Sequence, residues 1–254
     1  MDEDDSQEIS EVLDATVDVC DEGAEQLLRF GTVDVLGRMP WSSNGTYLVT
    51  VVDEQDPDRR CQGIYKPGSG ERPLWDFPSG LWRREIAAYR LARELGWEIV
   101  PPTVECDGPL GVGSLQFFVP SRFEEHYFTF KDVDDHRRAL RQLCVFDLVS
   151  NNTDRKGGHI LLSATGHLWG IDHGLSFHDE FKLRTVMWDY AGEPIDSDLV
   201  DDLQRWLATM PSPELCDLLS EVELDAMRSR TNSVIAAGTF PHDPTGRRYP
   251  WPLV

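Results

Sequence analysis

Four side chains have types and spacing that could do chemistry together. Asp154, Lys156 and His159 stand in Asn152-Thr153-Asp154-Arg155-Lys156-Gly157-Gly158-His159, and Asp172 stands in Ile171-Asp172-His173-Gly174. The two carboxylates are eighteen positions apart across a stretch that reads as a hairpin: Ile160 to Leu162 as one strand, Ala164-Thr165-Gly166 as the turn, Leu168 to Ile171 as the return. A hairpin sets both carboxylates at one end. Phosphoryl transfer needs such a pair, because the protein does little covalent work there: it must fix the attacking hydroxyl in line and neutralise charge on the phosphate oxygens. Asp154 is placed as the base and Lys156 as a cation facing phosphate. Asp172 would hold Mg²⁺, which prefers carboxylate and phosphate oxygens with waters, and His159 stands where a second metal ligand, normally Asn, belongs. Asn, Asp and Gly also serve plain turns; the interval to Asp172 gives the chemical reading its weight.

A metal-dependent hydrolase is a competing chemistry. His159, His167, Asp172, His173 and His178 are dense enough to form a cluster, although their spacing matches no zinc template.

A phosphoryl-transfer site makes demands upstream. The first is a strand lysine held by a helix glutamate. Gly63-Ile64-Tyr65-Lys66-Pro67 supplies Lys66 on a short strand ended by Pro67 and Gly68. Leu81 to Leu95 reads as a helix, with Ser79 as N-cap and Gly96 just past its end. At about 100° per residue its apolar arc runs from Leu95 and Ala88 through Leu81 and Ala92 to Tyr89 and Trp82. Glu85 falls inside that arc, and Arg83, Arg90 and Glu94 lie opposite. A carboxylate in a buried stripe needs a cation; Lys66 is the expected partner, a nearby arginine the alternative. A loop over the phosphates is the other demand. Between strands Thr32 to Leu36 and Thr46 to Val52, Met39 to Gly45 offers Ser42, Ser43, Asn44 and loop amides to phosphate oxygens, with Asn44-Gly45 doubling as a hairpin signal. No Walker lysine motif occurs.

These segments together resemble the phosphatidylinositol 3-/4-kinase-like branch of the protein-kinase-like superfamily. More specifically, the chain is similar to a family of short actinobacterial phosphatidylinositol-kinase-related proteins. The resemblance rests on Gly37-Arg38-Met39-Pro40, on Tyr65-Lys66-Pro67 with the Gly70 to Pro78 run, on Arg84-Glu85-Ile86-Ala87-Ala88-Tyr89, and on the Asn152 to His159 and Ile171 to Phe177 segments. It implies an α+β, two-lobed, atypical protein-kinase-like fold with a small, mainly β lobe and a mainly helical lobe. It also implies ATP and Mg²⁺ as cofactors, Lys66 on the α/β phosphates, Glu85 orienting it, Asp154 as base and Asp172 as magnesium ligand. His159 departs from the family pattern, since imidazole suits softer metals than Mg²⁺. A nucleotide-binding pseudokinase is therefore a second reading.

The expected organisation is an acidic extension over 1–29 with a short helix at 22–29, a β-rich lobe over 31–114, a hinge over 115–120 and a helical lobe over 121–254. Adenine would stack at the hinge, on Phe118 and Val119. A helix over Asp132 to Ser150 feeds the catalytic loop, with Leu140, Leu143, Cys144 and Val149 among its apolar positions. Phe181 to Ile195 takes the place of an activation segment. Leu199–Met210 and Pro213–Ala237 read as two amphipathic helices on which Arg247 to Val254 docks.

Composition narrows the partners. The net charge is −21, and residues 1–25 hold eleven acids and no base, leaving 34 acids against 24 bases elsewhere. Such a chain is repelled by nucleic acid and anionic lipid surfaces. The expected partners are ATP and a small-molecule, lipid-headgroup or protein acceptor, without nucleic acid or stable membrane insertion. No run approaches ~18 apolar residues and no secretory signal opens the chain, so the cytosol is expected. Five scattered cysteines without a C-x-x-C read as free thiols.

Overall fold

The computed structural model describes residues 15–254 except 41, 43, 123 and 210; Ser43, expected at the phosphates, therefore lies outside the described residues. The chain divides into two compact units. One runs to Trp82 and adds Pro102–Phe118; the other comprises Arg83–Pro101 and Val119–Val254. The sequence reading put 83–101 with the β-rich lobe, whereas its packing groups it with the helical unit.

The first unit is an antiparallel sheet of β1 (Thr32–Arg38), β2 (Tyr47–Val52), β3 (Arg60–Pro67), β4 (Thr103–Gly108) and β5 (Gly111–Phe117), in the order β1-β2-β3-β5-β4. Its covered face is built from Val49 and Val51 on β2 and Cys61 and Tyr65 on β3, all buried and, within each strand, an even number of positions apart. Helix α1 (Ala24–Phe30) adds buried Leu27 and Leu28. Strand β3 presents Lys66 opposite Ser114, and its neighbour Pro67 opposite Gly113. A Cβ on Gly113 would stand 2.2 Å from the Lys66 carbonyl oxygen, so only glycine lets β5 approach this closely.

Helix α2 (Leu81–Leu95) matches its expected bounds. Its first N–H groups are not held by Ser79; the Glu71 carboxylate accepts from the N–H of Gly80 at 2.9 Å and Trp82 at 2.7 Å. In the second unit the helix is buried well beyond one stripe, since Ala87 and Leu91 are also fully covered. The supposedly solvated Glu94 accepts from Trp206 Nε1 at 2.8 Å and from the Ser212 N–H at 3.1 Å. The rest of that unit is α3 (Tyr127–Phe130), α4 (Asp134–Ser150), the hairpin of β6 (Ile160–Leu162) and β7 (Leu168–Gly170), α5 (Ser197–Leu207), α6 (Pro213–Leu218) and α7 (Glu221–Ala237). Leu140, Leu143, Val145, Phe146 and Val149 anchor α4 in one continuous core. The single helix expected over Pro213–Ala237 is two, because Ser220 caps a new start: its hydroxyl accepts from the Glu223 N–H at 3.4 Å and the Glu223 carboxylate accepts from the Ser220 N–H at 2.9 Å. That Ser-x-x-Glu capping box was legible in the sequence. No helix among the described residues is long and apolar enough to cross a membrane, and the five cysteines are free thiols.

Candidate active site

The loop after α4 is fixed by its own polar side chains. Asn151 ends the helix in the left-handed region at φ 55°, where Asn is tolerated. Its amide donates to the carbonyls of His178 at 2.9 Å and Glu180 at 2.7 Å, and its Oδ1 accepts from the Lys182 N–H. Asn152 Oδ1 accepts from the Asp154 N–H at 2.9 Å, and the N–H and hydroxyl of Thr153 both donate to the Leu175 carbonyl. The turn role of Asn151, Asn152 and Thr153 thus serves to hold Asp154.

Asp154 Oδ2 lies 3.0 Å from Lys156 Nζ. Burial pushes the Asp154 carboxyl above the usual range, as does the charge of Asp172, while Lys156 and Arg184 pull it down. Both carboxylates therefore share one electrostatic neighbourhood. The expected hairpin accounts for this, since β6 pairs with β7 through Ile160 and Gly170 and the Ile171 N–H donates to the His159 carbonyl at 3.0 Å. His159 Nε2 is 3.3 Å from Asp172 Oδ2, and the Asp172 side chain is 46% exposed. Its backbone holds φ 58°, a sparsely populated conformation that turns the residue out of the strand path.

Arg155, to which the sequence assigned no role, is the pin of this arrangement. It is fully buried and meets buried Asp147 of α4 through Nε and Nη2, at 2.9 Å to each carboxylate oxygen. Its Nη1 donates to the carbonyls of His159 at 3.0 Å and Ile171 at 2.8 Å, and its Nη2 lies 2.8 Å from His173 Nε2. One guanidinium thus ties the residue after Asp154 to the backbone of His159 and to the residues on both sides of Asp172. Burial pushes the Asp147 carboxyl up, and the two-pronged Arg155 contact opposes it. The sequence signal was an Asp147 on the apolar side of α4, eight positions before an arginine.

A family model described as phosphatidylinositol 3- and 4-kinase matches residues 98–237, more than half of the chain. Protein Rv2133c of Mycobacterium tuberculosis is 36% identical over 265 residues, taking in 89% of this chain and 94% of the relative. The chain belongs to the phosphatidylinositol 3- and 4-kinase family. Two solved structures share its fold. The Helicobacter pylori proinflammatory kinase CtkA has a TM-score of 0.50 at 10% identity, covering 83% of this chain and 93% of its own. Hydra Fam20 with sugar has a TM-score of 0.52 at 14% identity, covering 84% and 86%. The fold is thus the expected α+β, kinase-like one.

The remaining family positions are placed as follows. Glu85 is buried and its Oε2 accepts the His173 N–H at 2.8 Å, which ties α2 to the residue after Asp172. Its neighbour Arg84 donates to the Ser176 carbonyl at 3.0 Å and pairs with Glu223. In the first unit Lys66 is half-buried on β3. Asn44 Oδ1 accepts from the Arg72 N–H at 3.0 Å, which joins its loop to the one after β3, and Ser42 lies half-buried in the same loop. The Phe118 N–H donates to the Gln62 carbonyl at 3.0 Å, while Val119 is buried at the start of the second unit's longer segment.

The histidines expected of a hydrolase do not converge, and no group of three metal-binding side chains occurs among the described residues. His167 Nε2 sits 2.6 Å from the Glu98 carbonyl, His173 is buried edge-on against Phe146, and His178 Nε2 is 2.9 Å from Lys182 Nζ. Each ring is held in a different place by a different partner. The 247–254 segment docks on the loop that carries Asp154 and on the stretch after Phe181: the Leu253 carbonyl accepts from the Gly157 N–H at 2.7 Å, and the Arg248 carbonyl accepts from the Thr185 N–H at 3.1 Å and Trp188 Nε1 at 3.0 Å. The sequence reading had put it on the helices that follow Leu199. Trp188, in the stretch that takes the place of an activation segment, is tied up in this docking.

Proposed function

We propose that the chain is an ATP- and magnesium-dependent phosphotransferase that acts on the hydroxyl of a small molecule, lipid headgroup or protein in the cytoplasm. The observation that carries this is the Arg155 pin, which holds Asp154 and Asp172 in one neighbourhood on separate backbone segments. Asp154 orients the acceptor hydroxyl and takes its proton, and its raised pKa makes it the better proton acceptor. Lys156, 3.0 Å from that carboxylate, faces the transferring phosphate. Asp172 and His159 would hold magnesium, an exposed carboxylate suiting a hard cation that completes its shell with phosphate and water. When bound, the metal neutralises charge on the phosphate oxygens. On the nucleotide side we assign Lys66, oriented by Glu85, to the α/β phosphates. Ser42, Ser43 and Asn44 belong to the phosphate loop, and Phe118 and Val119 to the adenine.

A second reading is favoured by one contact. His159 Nε2 stands 3.3 Å from Asp172 Oδ2, and an imidazole that engages this carboxylate suits a pseudokinase that binds nucleotide without turnover. Calorimetric titration of ATP, with and without magnesium, into wild type and Asp172→Ala tests the common core of both. Magnesium-dependent binding that the substitution abolishes is expected. Absence of binding by wild type would overturn both readings, and binding without turnover would select the second.

A further inference from the structure

Resting on the phosphotransferase reading, we propose that the acceptor is a polypeptide: a Ser or Thr hydroxyl flanked by apolar side chains and an acidic residue, seated on the surface that residues 247–254 build beside the catalytic loop.

The second unit leaves eight large apolar side chains exposed among its described residues: Tyr249, Trp251, Leu253 and Val254 belong to the 247–254 segment, and Phe128 and Phe181 lie against that segment or the loop it docks on. Phe128 comes within 3.2 Å of where a Cβ on Gly157 would stand, and Val254 within 3.7 Å of the equivalent point on Gly158. Leu253 is joined to Gly157 by the backbone hydrogen bond already described. Phe181 carries the Arg248 guanidinium 4.9 Å over its ring, and Tyr249 and Trp251 lie on the same segment. Trp251 is 86% exposed. Scattered exposed apolar residues need no explanation, but a concentration of them on one neighbourhood marks an interaction surface. Its backbone is anchored at both ends, at Arg248 and at Leu253, so the aromatic groups are presented at little ordering cost.

Charge adds the acidic requirement. Arg184 is exposed, its carbonyl accepts the Arg155 N–H at 3.0 Å, and it is near enough to Asp154 to lower that carboxyl. Its guanidinium makes no ion pair or side-chain hydrogen bond among the described residues, whereas Arg137, Arg138 and Arg141 of α4 are all paired. In a chain of net charge −21, a cation left open beside the base fits a carboxylate supplied by the acceptor. Arg, Trp and Tyr are also the side chains that dominate protein interfaces. An anionic bilayer would meet the acidic remainder of the chain, and a small polar metabolite would leave Trp251, Tyr249 and Leu253 uncovered. In the transfer, the acceptor oxygen bonds the γ-phosphorus as the bond to ADP breaks, and the hydroxyl proton passes to Asp154.

The test uses the full chain with magnesium and radiolabelled ATP, a peptide library randomised around a fixed Ser or Thr, and phosphatidylinositol vesicles as the rival acceptor. Wild type, Trp251→Ala and Arg184→Glu are compared, with calorimetric Mg·ATP binding as a readout that needs no acceptor. Wild type should select apolar residues and Asp or Glu near the hydroxyl. Trp251→Ala should raise KM for the selected peptide about tenfold, the loss of one aromatic anchor. Arg184→Glu should exchange the acidic preference for a basic one, and Mg·ATP binding should stay at the wild-type level in both. Labelling of vesicles in preference to every peptide, or an unchanged selection in both variants, would overturn the proposal while Mg·ATP binding persists. Failure of wild type to bind Mg·ATP would instead overturn the phosphotransferase reading beneath it.

Discussion

Arg155 and Asp147, eight residues apart, form an ion pair with side chains 0% and 1% exposed, and the same guanidinium reaches the carbonyls of His159 and Ile171. Removing one partner strands the other charge, which costs about 3–5 kcal/mol for buried pairs. Urea denaturation of Arg155→Met should therefore show a loss of that order, and Arg155→Met with Asp147→Leu should recover part of it. Equal losses in the single and double variants would mean that the carbonyl contacts, not the ion pair, carry the stability.

Glu85 offers a finer test, because its Oε2 accepts the buried His173 N–H at 2.8 Å. Glu85→Ala leaves that N–H without this acceptor and should cost about 1–3 kcal/mol. Glu85→Gln keeps an oxygen acceptor and should recover most of it. Thermal melts compare the three; a Gln variant as unstable as Ala would show that the charge matters more than the hydrogen bond.

Asp154 sets a pH dependence. The proposed base must be ionised, and burial raises its pKa above that of an ordinary aspartate. Activity should accordingly fall as pH drops through a value above ~3.9, and Asp154→Asn should lower kcat by roughly 10²–10⁴ with Mg·ATP binding retained. A pH profile of kcat/KM whose acid limb lies at or below ~3.9 would argue against this assignment.

The sequence carried local pattern further than it carried burial. The β6–β7 hairpin, the α2 bounds and the buried Glu85 followed from periodicity and turn chemistry. Arg155 did not, because an arginine in a polar loop reads as solvated until the fold closes over it. The fully covered α2 was hidden for the same reason: Glu94 lies on the helix's polar face, and its partners Trp206 and Ser212 come from more than a hundred residues away. The docking of 247–254 was equally remote, since backbone bonds from Gly157 and Thr185 leave no mark on side-chain pattern.

That docking segment is preceded by a turn whose carboxylate can be titrated. Against the upward pull of burial, the Arg248 N–H at 2.8 Å and the hydroxyl and N–H of Thr245 hold Asp243 down to about 2. A folded pKa depressed below the unfolded value adds stability that is present above ~3.9 and is lost as pH falls toward the folded value. The turn should therefore loosen between those limits and release Arg248 from its place against Thr185 and Trp188. In an NMR acid titration the amide signals of Thr245 and Arg248 should move with a midpoint near 2. In Asp243→Asn that transition should vanish. A midpoint near ~3.9 in wild type would mean that these hydrogen bonds do not discriminate between the charged and neutral carboxyl, and that the segment is held by its bonds to Gly157, Thr185 and Trp188 without help from the Asp243 charge.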